Sequence, residues 1–307
     1  MNEPRRESPS GYHFWNLFQN CERKFQIKYV HGFQPLHTAP PLVFGAEYHE
    51  ATANFYVTGG DENGSIDLFQ ENMAERQHEY RNQEYFARDY MRGPLLLRKW
   101  FEKHGHNDLK FYNILAIEEE IRPTLANGFI MTMRPDRIME SKIDGRIYIF
   151  DTKTSSFSVT VTQNEMRLGD QATSYLLGVE RCYDFSPDGF QTDICYQNQS
   201  VIKCVRPDLV YRSDRDLREF EYGAVSKMAE ISQKVKNLQK YPWYYLFSRN
   251  TQWCTSYAKP CEYADICRMD LGDVPPSGFK KDPWSDYEAL MKASAHEIKD
   301  QIEVELV

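Results

Sequence analysis

Asp151 and Lys153 close the stretch Ile147-Tyr148-Ile149-Phe150-Asp151-Thr152-Lys153, an apolar run that delivers a carboxylate and then an ammonium. Two residues apart on a strand, the two side chains point the same way. A surface ion pair would explain this pair taken alone. An earlier carboxylate, Asp136, is separated from it by Asp144-Gly145, a favoured hairpin turn. If the flanking strands pair through that turn, Asp136 and Asp151 meet at one edge. Two converging carboxylates make a hard oxygen site for Mg²⁺ or Mn²⁺. A metal held there polarises a phosphodiester and lowers the pKa of water, and the nearby Lys153 ammonium stabilises developing negative charge or holds the attacking water.

Other groups are spaced to join them. His49 stands four residues after Gly45 on an expected helix. Gln171 and Tyr175 are four apart, one above the other on a helical face. Singly, such residues are more often structural. The run Glu118-Glu119-Glu120 is a further acidic candidate, of which strand alternation would turn one toward the site and leave the rest solvated.

The cysteines fall into two sets. Cys254, Cys261 and Cys267 cluster late in the chain as C-x6-C-x5-C, and Cys21 stands alone far upstream. Cys182, Cys195 and Cys204 lie in apolar or strand-like contexts and read as buried thiols. Four thiolates can hold Zn²⁺ or a [4Fe–4S] cluster, and spacing does not separate the two. Four unrelated thiols are the remaining reading. A bound metal would tie an N-terminal helix to a C-terminal segment without entering phosphodiester chemistry.

The elements that must position these groups follow from the pattern. Residues 12–31 place Tyr12, Trp15, Phe18, Phe25 and Tyr29 at helical spacing, with Ser10 set to cap the start. A connector with three prolines covers 32–41, and a second helix runs from Val43 to Tyr56. Residues 67–104 read as one or two helices broken near Gly93-Pro94. The period then changes. Residues 111–122, 128–139 and 146–153 are strand-like and are joined by the turns Asn127-Gly128 and Asp144-Gly145, which predicts a three-stranded meander. A helix over 164–180, two strands within 190–211 and a charged helix over 214–239 follow, and the polar stretch after 270 ends in a helical pattern. The fold class expected is α/β, a central mixed sheet flanked by helices.

Composition sets limits. The chain has 307 residues, 41% of them hydrophobic and 14% aromatic, enough for a sizeable core. A formal net charge of −8 excludes a surface coated in basic residues. Arg88, Arg92, Arg98, Lys99 and Lys103 are either a strand-guiding surface or a solvated helix face. No apolar run approaches the ~20 residues that span a bilayer, and the N-terminus lacks the apolar core of a signal peptide. The expectation is a cytoplasmic protein without a membrane partner. No G-x-x-x-x-G-K-[ST] motif occurs, so any unwinding falls to a helicase or recombination partner.

Taken in order, Gly45/His49, Pro135-Asp136, Asp151/Lys153 and Gln171/Tyr175 resemble the motifs of the RecB/AddB/Cas4-like branch of the PD-(D/E)XK nucleases. Asp136-Arg137-Ile138 and Asp151-Thr152-Lys153-Thr154 are similar to that family's local sequences. The likeness covers about residues 43–180 and departs from the family at Met133, where a glycine is usual. Cys21 with Cys254, Cys261 and Cys267 resembles the iron–sulfur staple of the same branch, although the first gap of the late triplet is longer here.

The resemblance implies a restriction-endonuclease-like core whose terminal segments are joined by a four-cysteine metal cluster. It implies that His49, Asp136, Asp151 and the Thr152 carbonyl bind Mg²⁺ or Mn²⁺. Lys153 would position or activate water, and Gln171 and Tyr175 would line the site and touch the DNA backbone. The four cysteines would hold [4Fe–4S], with Zn²⁺ the alternative. The organisation expected is an N-terminal helix over 1–42, a nuclease core over 43–245 with a helical insertion at about 60–110, a cluster-binding segment over 246–270, and a tail over 271–307. The activity implied is a metal-dependent exonuclease on DNA ends, in recombination, repair, or viral or mobile-element DNA metabolism. Two other readings stand beside it: a catalytically silent DNA-binding scaffold of the same fold, and a zinc-stapled nucleic-acid-binding domain. The intact acidic, basic and histidine positions weigh against the scaffold, and metal content separates the zinc-stapled domain.

Overall fold

The change of period near residue 111 is where helices give way to a sheet in the computed structural model, which describes residues 11–126, 128–198, 200–256 and 259–282. The expected first helix is broken. α1 (Tyr12–Asn20) and α2 (Glu22–Phe25) are separated by Cys21, whose backbone is extended with φ −161°. A π-helical turn, Gln26–Val30, and the short strand β1 (Phe33–Pro35) follow. Ser10 lies outside the described residues, and Gly11 takes the N-cap position.

α3 (Pro40–Val57) starts with prolines, where a missing N–H costs nothing. α4 (Glu62–Glu75) is capped by Asp61 and α5 (Gln83–Trp100) by Asn82, and α6 (His106–Phe111) leads into the sheet. The break expected near Gly93-Pro94 falls instead between α4 and α5, and α5 runs through Pro94. A Cβ on Gly93 would lie 2.1 Å from the Phe69 ring, so the glycine lets the two helices meet closely. Leu96, Leu97 and Trp100 are fully buried just beyond it. At roughly 1.5–3 kcal/mol per buried apolar side chain, they offset the ~3 kcal/mol cost of an interior proline.

β2 (Tyr112–Ile117), β3 (Arg137–Ser141), β4 (Ile147–Ser155), β5 (Gly189–Gln197) and β6 (Ile202–Val205) form one sheet in the order β2-β3-β4-β5-β6. β4 and β5 are parallel and the other neighbours antiparallel, so the sheet is mixed. The three-stranded meander is present, and Gly145, at φ +72°, makes the β3–β4 turn. The middle strand is regular only from Arg137. Before it the chain makes the isolated bridges Ile121↔Met133 and Thr124↔Ile130. The parallel crossover is α7 (Val159–Leu168) and α8 (Asp170–Cys182), two helices where one was expected over 164–180. They part at Gly169, where a Cβ would lie 2.5 Å from the Glu165 carbonyl oxygen.

α9 (Asp214–Asn237) matches the expected charged helix. α10 (Trp243–Leu246), the short pair β7 (Thr255–Ser256) and β8 (Lys259–Pro260), and β9 (Phe279–Lys281), which pairs with β1, complete the chain. The helix expected in the tail falls outside the described residues. The chain divides into two compact units, one of residues 37–121 and 133–218, the other of the N-terminal residues to 36, 122–132 and the chain from 219 on. The sheet lies in the first, and α1, α2, α10 and the late cysteines lie in the second. Among the described residues, no helix is long and apolar enough to cross a membrane.

The sheet unit contains a buried ionic network. Arg137 donates to Asp193 Oδ2 at 3.0 Å and to Thr152 Oγ1 at 2.9 Å. Arg206 bonds Asp193 at 2.6 Å and grips Asp108 with two bonds of 2.7 Å, while Trp100 Nε1 donates to Asp193 at 3.0 Å. Burial alone would push the Asp193 carboxyl up, but Arg206 and then Arg137 more than reverse this and hold it well below the usual carboxylate range. Asp193→Asn is expected to cost about 3–5 kcal/mol, because it leaves Arg137 buried beside a lost charge. The contribution should be whole above the usual aspartate pKa of ~3.9, fall as pH drops below it, and be gone below the lowered value. Denaturant unfolding of the two proteins at neutral pH measures this, and equal midpoints would contradict it.

Candidate metal centre

The β3–β4 ladder sets the site. Arg137 pairs with Phe150, so one step further along the register Asp136 faces Asp151. Asp136 is fixed by the strand opposite, its Oδ2 accepting the Thr152 N–H at 2.7 Å. Asp136, Asp151 and Thr152 are all buried. Lys153, on the same face as Asp151, brings Nζ to 3.0 and 2.8 Å from the two carboxylate oxygens of Asp151. From α8, Gln171 Nε2 reaches Asp151 Oδ1 at 3.5 Å. One turn on, Tyr175 donates to the Arg134 carbonyl at 3.3 Å and stacks on Phe190. The i, i+4 pair thus divides, the glutamine on one acid and the tyrosine on the backbone that leads into the other.

His49 arrives from α3. At Gly45, one turn earlier, an added Cβ would stand 3.4 Å from Thr154 Oγ1, so helix and strand lie close there. His49 Nδ1 is 2.9 Å from Asp136 Oδ2 and 3.9 Å from Glu118 Oε1. That nitrogen is buried and makes no hydrogen bond among the described residues. An imidazole nitrogen facing a carboxylate oxygen so closely is repulsive unless that nitrogen carries its N–H or a metal ion lies between them. Ligand atoms of His49, Glu118 and Asp136 all lie within 4.8 Å of one another. One imidazole and two carboxylates are a donor set suited to a divalent metal such as Mn²⁺.

Of the three successive glutamates, Glu118 is the one turned to the site. The register of β2 shifts between Ile114 and Ala116. Glu118 itself sits at φ +49°, where residues other than glycine are uncommon, and its N–H donates to the Asp136 carbonyl at 3.0 Å. Glu119 instead accepts the Tyr183 hydroxyl, and Glu120 lies 3.4 Å from Arg134. Alternation alone selects one glutamate in three only if the register is known, and the bulge changes the register.

Charges crowd this site. Burial pushes the Asp151 carboxyl up, Lys153 opposes that, and Asp136 pushes it up again. A divalent cation would relieve this repulsion. Burial, followed by the charges of Asp151 and Asp136, also drives the Tyr175 phenol well above its ordinary value, so it stays a neutral donor.

The four cysteines singled out for a cluster all fall in the second unit. The Cys267 thiol is raised by burial, and the charges of Cys21 and Cys254 add to that. Cys261 is raised by burial and also feels Cys21, and its N–H donates to the Cys254 carbonyl at 2.8 Å. Among the described residues, no three of these sulfurs come within 4.8 Å of one another. Cys195 and Cys204 are buried as expected, but Cys182 is exposed, because α8 ends there and its apolar face has already passed. Of the basic residues between 76 and 110, Arg88 pairs with Asp89 and Lys99 with Glu102, which makes these two part of a solvated, ion-paired surface. The Arg137–Asp193 pair beneath the site, which orients Thr152 through its hydroxyl, had no local signature in the sequence.

A family model described as the PD-(D/E)XK nuclease superfamily matches residues 8–268. A solved structure described as "Crystal structure of SSO0001" is similar at 16% identity, over 65% of this chain and 82% of that one, with a TM-score of 0.29. No curated protein sequence matches the chain.

Proposed function

The chain belongs to the PD-(D/E)XK nuclease superfamily, and from that premise we propose that it is a metal-dependent DNA nuclease of the RecB-like branch, acting as an exonuclease on DNA ends. The observation that carries this reading is the pairing of β3 with β4, which stands Asp136 against Asp151 while His49 Nδ1 faces Asp136 at 2.9 Å. His49, Asp136, Asp151 and the Thr152 carbonyl would hold Mg²⁺ or Mn²⁺, with Glu118 added to the set. Bound there, the metal would lower the pKa of a water and polarise the phosphodiester.

The chain's own residues do the rest. Lys153 keeps its ammonium beside Asp151, where it can orient the attacking water and offset charge that builds on the phosphate. Gln171 steadies the Asp151 carboxylate from the helix side. Tyr175, held neutral, would turn its hydroxyl from the Arg134 carbonyl to the DNA backbone. The Asp136 bond to the Thr152 N–H fixes the strand end, so the acids are placed before substrate arrives. The exonuclease preference and a role in recombination, repair or mobile-element DNA metabolism, with a helicase or recombination partner, rest on the resemblance in motif order.

Cys21, Cys254, Cys261 and Cys267 are proposed to hold [4Fe–4S]. The preference for iron–sulfur over zinc rests on the resemblance in cysteine arrangement.

Cleavage of end-labelled linear DNA tests the catalytic reading. Wild-type protein should release label with Mg²⁺ or Mn²⁺ and stop in EDTA. Lys153→Ala should cut about 100-fold more slowly or worse with an unchanged circular-dichroism spectrum, and a wild-type rate from that variant would sink the assignment. For the cysteines, Cys261→Ala should sharply lower the yield of soluble, folded protein. Anaerobically purified wild type should carry iron and sulfide. Colourless wild-type protein, with the variant folded at equal yield, would end the cluster reading.

A further inference from the structure

Residues 231–261 contain no aspartate or glutamate, five lysines or arginines and seven aromatic rings, within a chain whose formal net charge is −8. Four of these rings are displayed rather than packed away. Tyr241, Tyr244, Tyr245 and Trp253 are 54%, 57%, 74% and 47% exposed. Tyr244 and Tyr245 fan apart on α10, their ring centroids 4.7 Å distant and their planes at 47°. The ring between Tyr241 and Tyr244 is anchored differently: Trp243 lies under the Arg23 guanidinium at 3.2 Å, which pins α10 to the body of its unit. Immediately past α10 a cavity of about 440 Å³ is lined by Arg249, Ser248, Asn250, Gln252, Lys227 and Glu22, among others. The Glu22 carboxylate is already committed to Lys234 at 2.5 Å and to the Ser248 N–H at 2.8 Å.

We propose that this surface is a binding platform for single-stranded nucleic acid, with bases stacked on Tyr241, Tyr244 and Tyr245 and phosphates running past Lys240 and Arg249. Unstacked bases present π-faces that exposed rings can cover, whereas a duplex keeps its bases covered by one another. A stretch that carries lysine and arginine but no carboxylate of its own, beside a Glu22 already paired with Lys234, suits a polyanion, and the cores of protein–protein interfaces are depleted in lysine. The platform lies in the unit that does not hold the metal centre. The inference rests on the nuclease reading only in that a nuclease needs a strand to hold.

Binding of the full chain to labelled oligothymidylate and oligouridylate, followed by fluorescence anisotropy in EDTA, tests it without cleavage. The double variant Tyr244→Ala/Tyr245→Ala should bind the favoured strand about tenfold or more weakly, the loss of one or two stacks. Tyr244→Phe/Tyr245→Phe, which keeps the rings, should stay within about twofold of wild type. Lys240→Gln should lower the slope of log affinity against log salt by about 0.7, one phosphate contact on a single strand. The strand bound more tightly by wild type shows whether DNA or RNA chemistry, sugar and thymine methyl together, is favoured. Wild-type affinity of the alanine double variant for both strands, or tighter binding of a duplex than of either strand, would overturn the proposal. If binding behaves as expected while metal-loaded protein cuts nothing, the nuclease reading falls and the platform stands.

Discussion

One hydrogen bond from backbone to side chain, from the Thr152 N–H to Asp136 Oδ2 at 2.7 Å, joins the two halves of the site. It binds the end of β3 to the middle of β4 through a side chain, where the ordinary ladder has run out. Without it the Asp136 carboxylate would lose the bond that ties it to the strand opposite. With it, Asp136 and Asp151 are held opposite each other and the repulsion between them is built in. That repulsion is opposed on one side by Lys153 and leaves a place for a cation on the other, where His49 and Glu118 converge. The superfamily's dependence on divalent metals therefore has a local physical cause in this chain.

The sheet beneath is stiffened to keep that arrangement. Arg137, next to Asp136, turns inward and bonds both Asp193 and the Thr152 hydroxyl. Successive residues on one strand thus serve opposite faces, Asp136 the site and Arg137 the buried network, as the two-residue period of a strand requires. The network crosses from β3 to β5 through Asp193 and reaches the helical layer through Trp100 and Asp108. A fully paired buried charge set costs desolvation, and its return here is geometric definition under a site that tolerates little movement.

Much of this was legible in the residues. The Asp144-Gly145 turn, the apolar run ending at Asp151 and the order of His49, Asp136, Lys153 and Gln171 depend on local spacing, and local spacing survives folding. What escaped depends on partners distant in sequence. Pro94 reads as a break until Phe69 is known to need the space at Gly93. Cys21 looks like an interior helix position until its extended backbone is seen. Glu118 could not be told from its neighbours, because a bulge upstream resets the alternation and its left-handed backbone has no signature in a run of glutamates. The roles of Asp108 and Asp193 are invisible in one dimension, since each is defined by an arginine or a ring brought from another element.

The central claim is that His49, Asp136 and Asp151 form one divalent-metal centre. Crystals soaked in Mn²⁺ and measured at the manganese absorption edge test it most directly. The account predicts an anomalous peak coordinated by His49 Nδ1 and by carboxylate oxygens of Asp136 and Asp151. A peak bound elsewhere, or none at this position under saturating Mn²⁺, would contradict it.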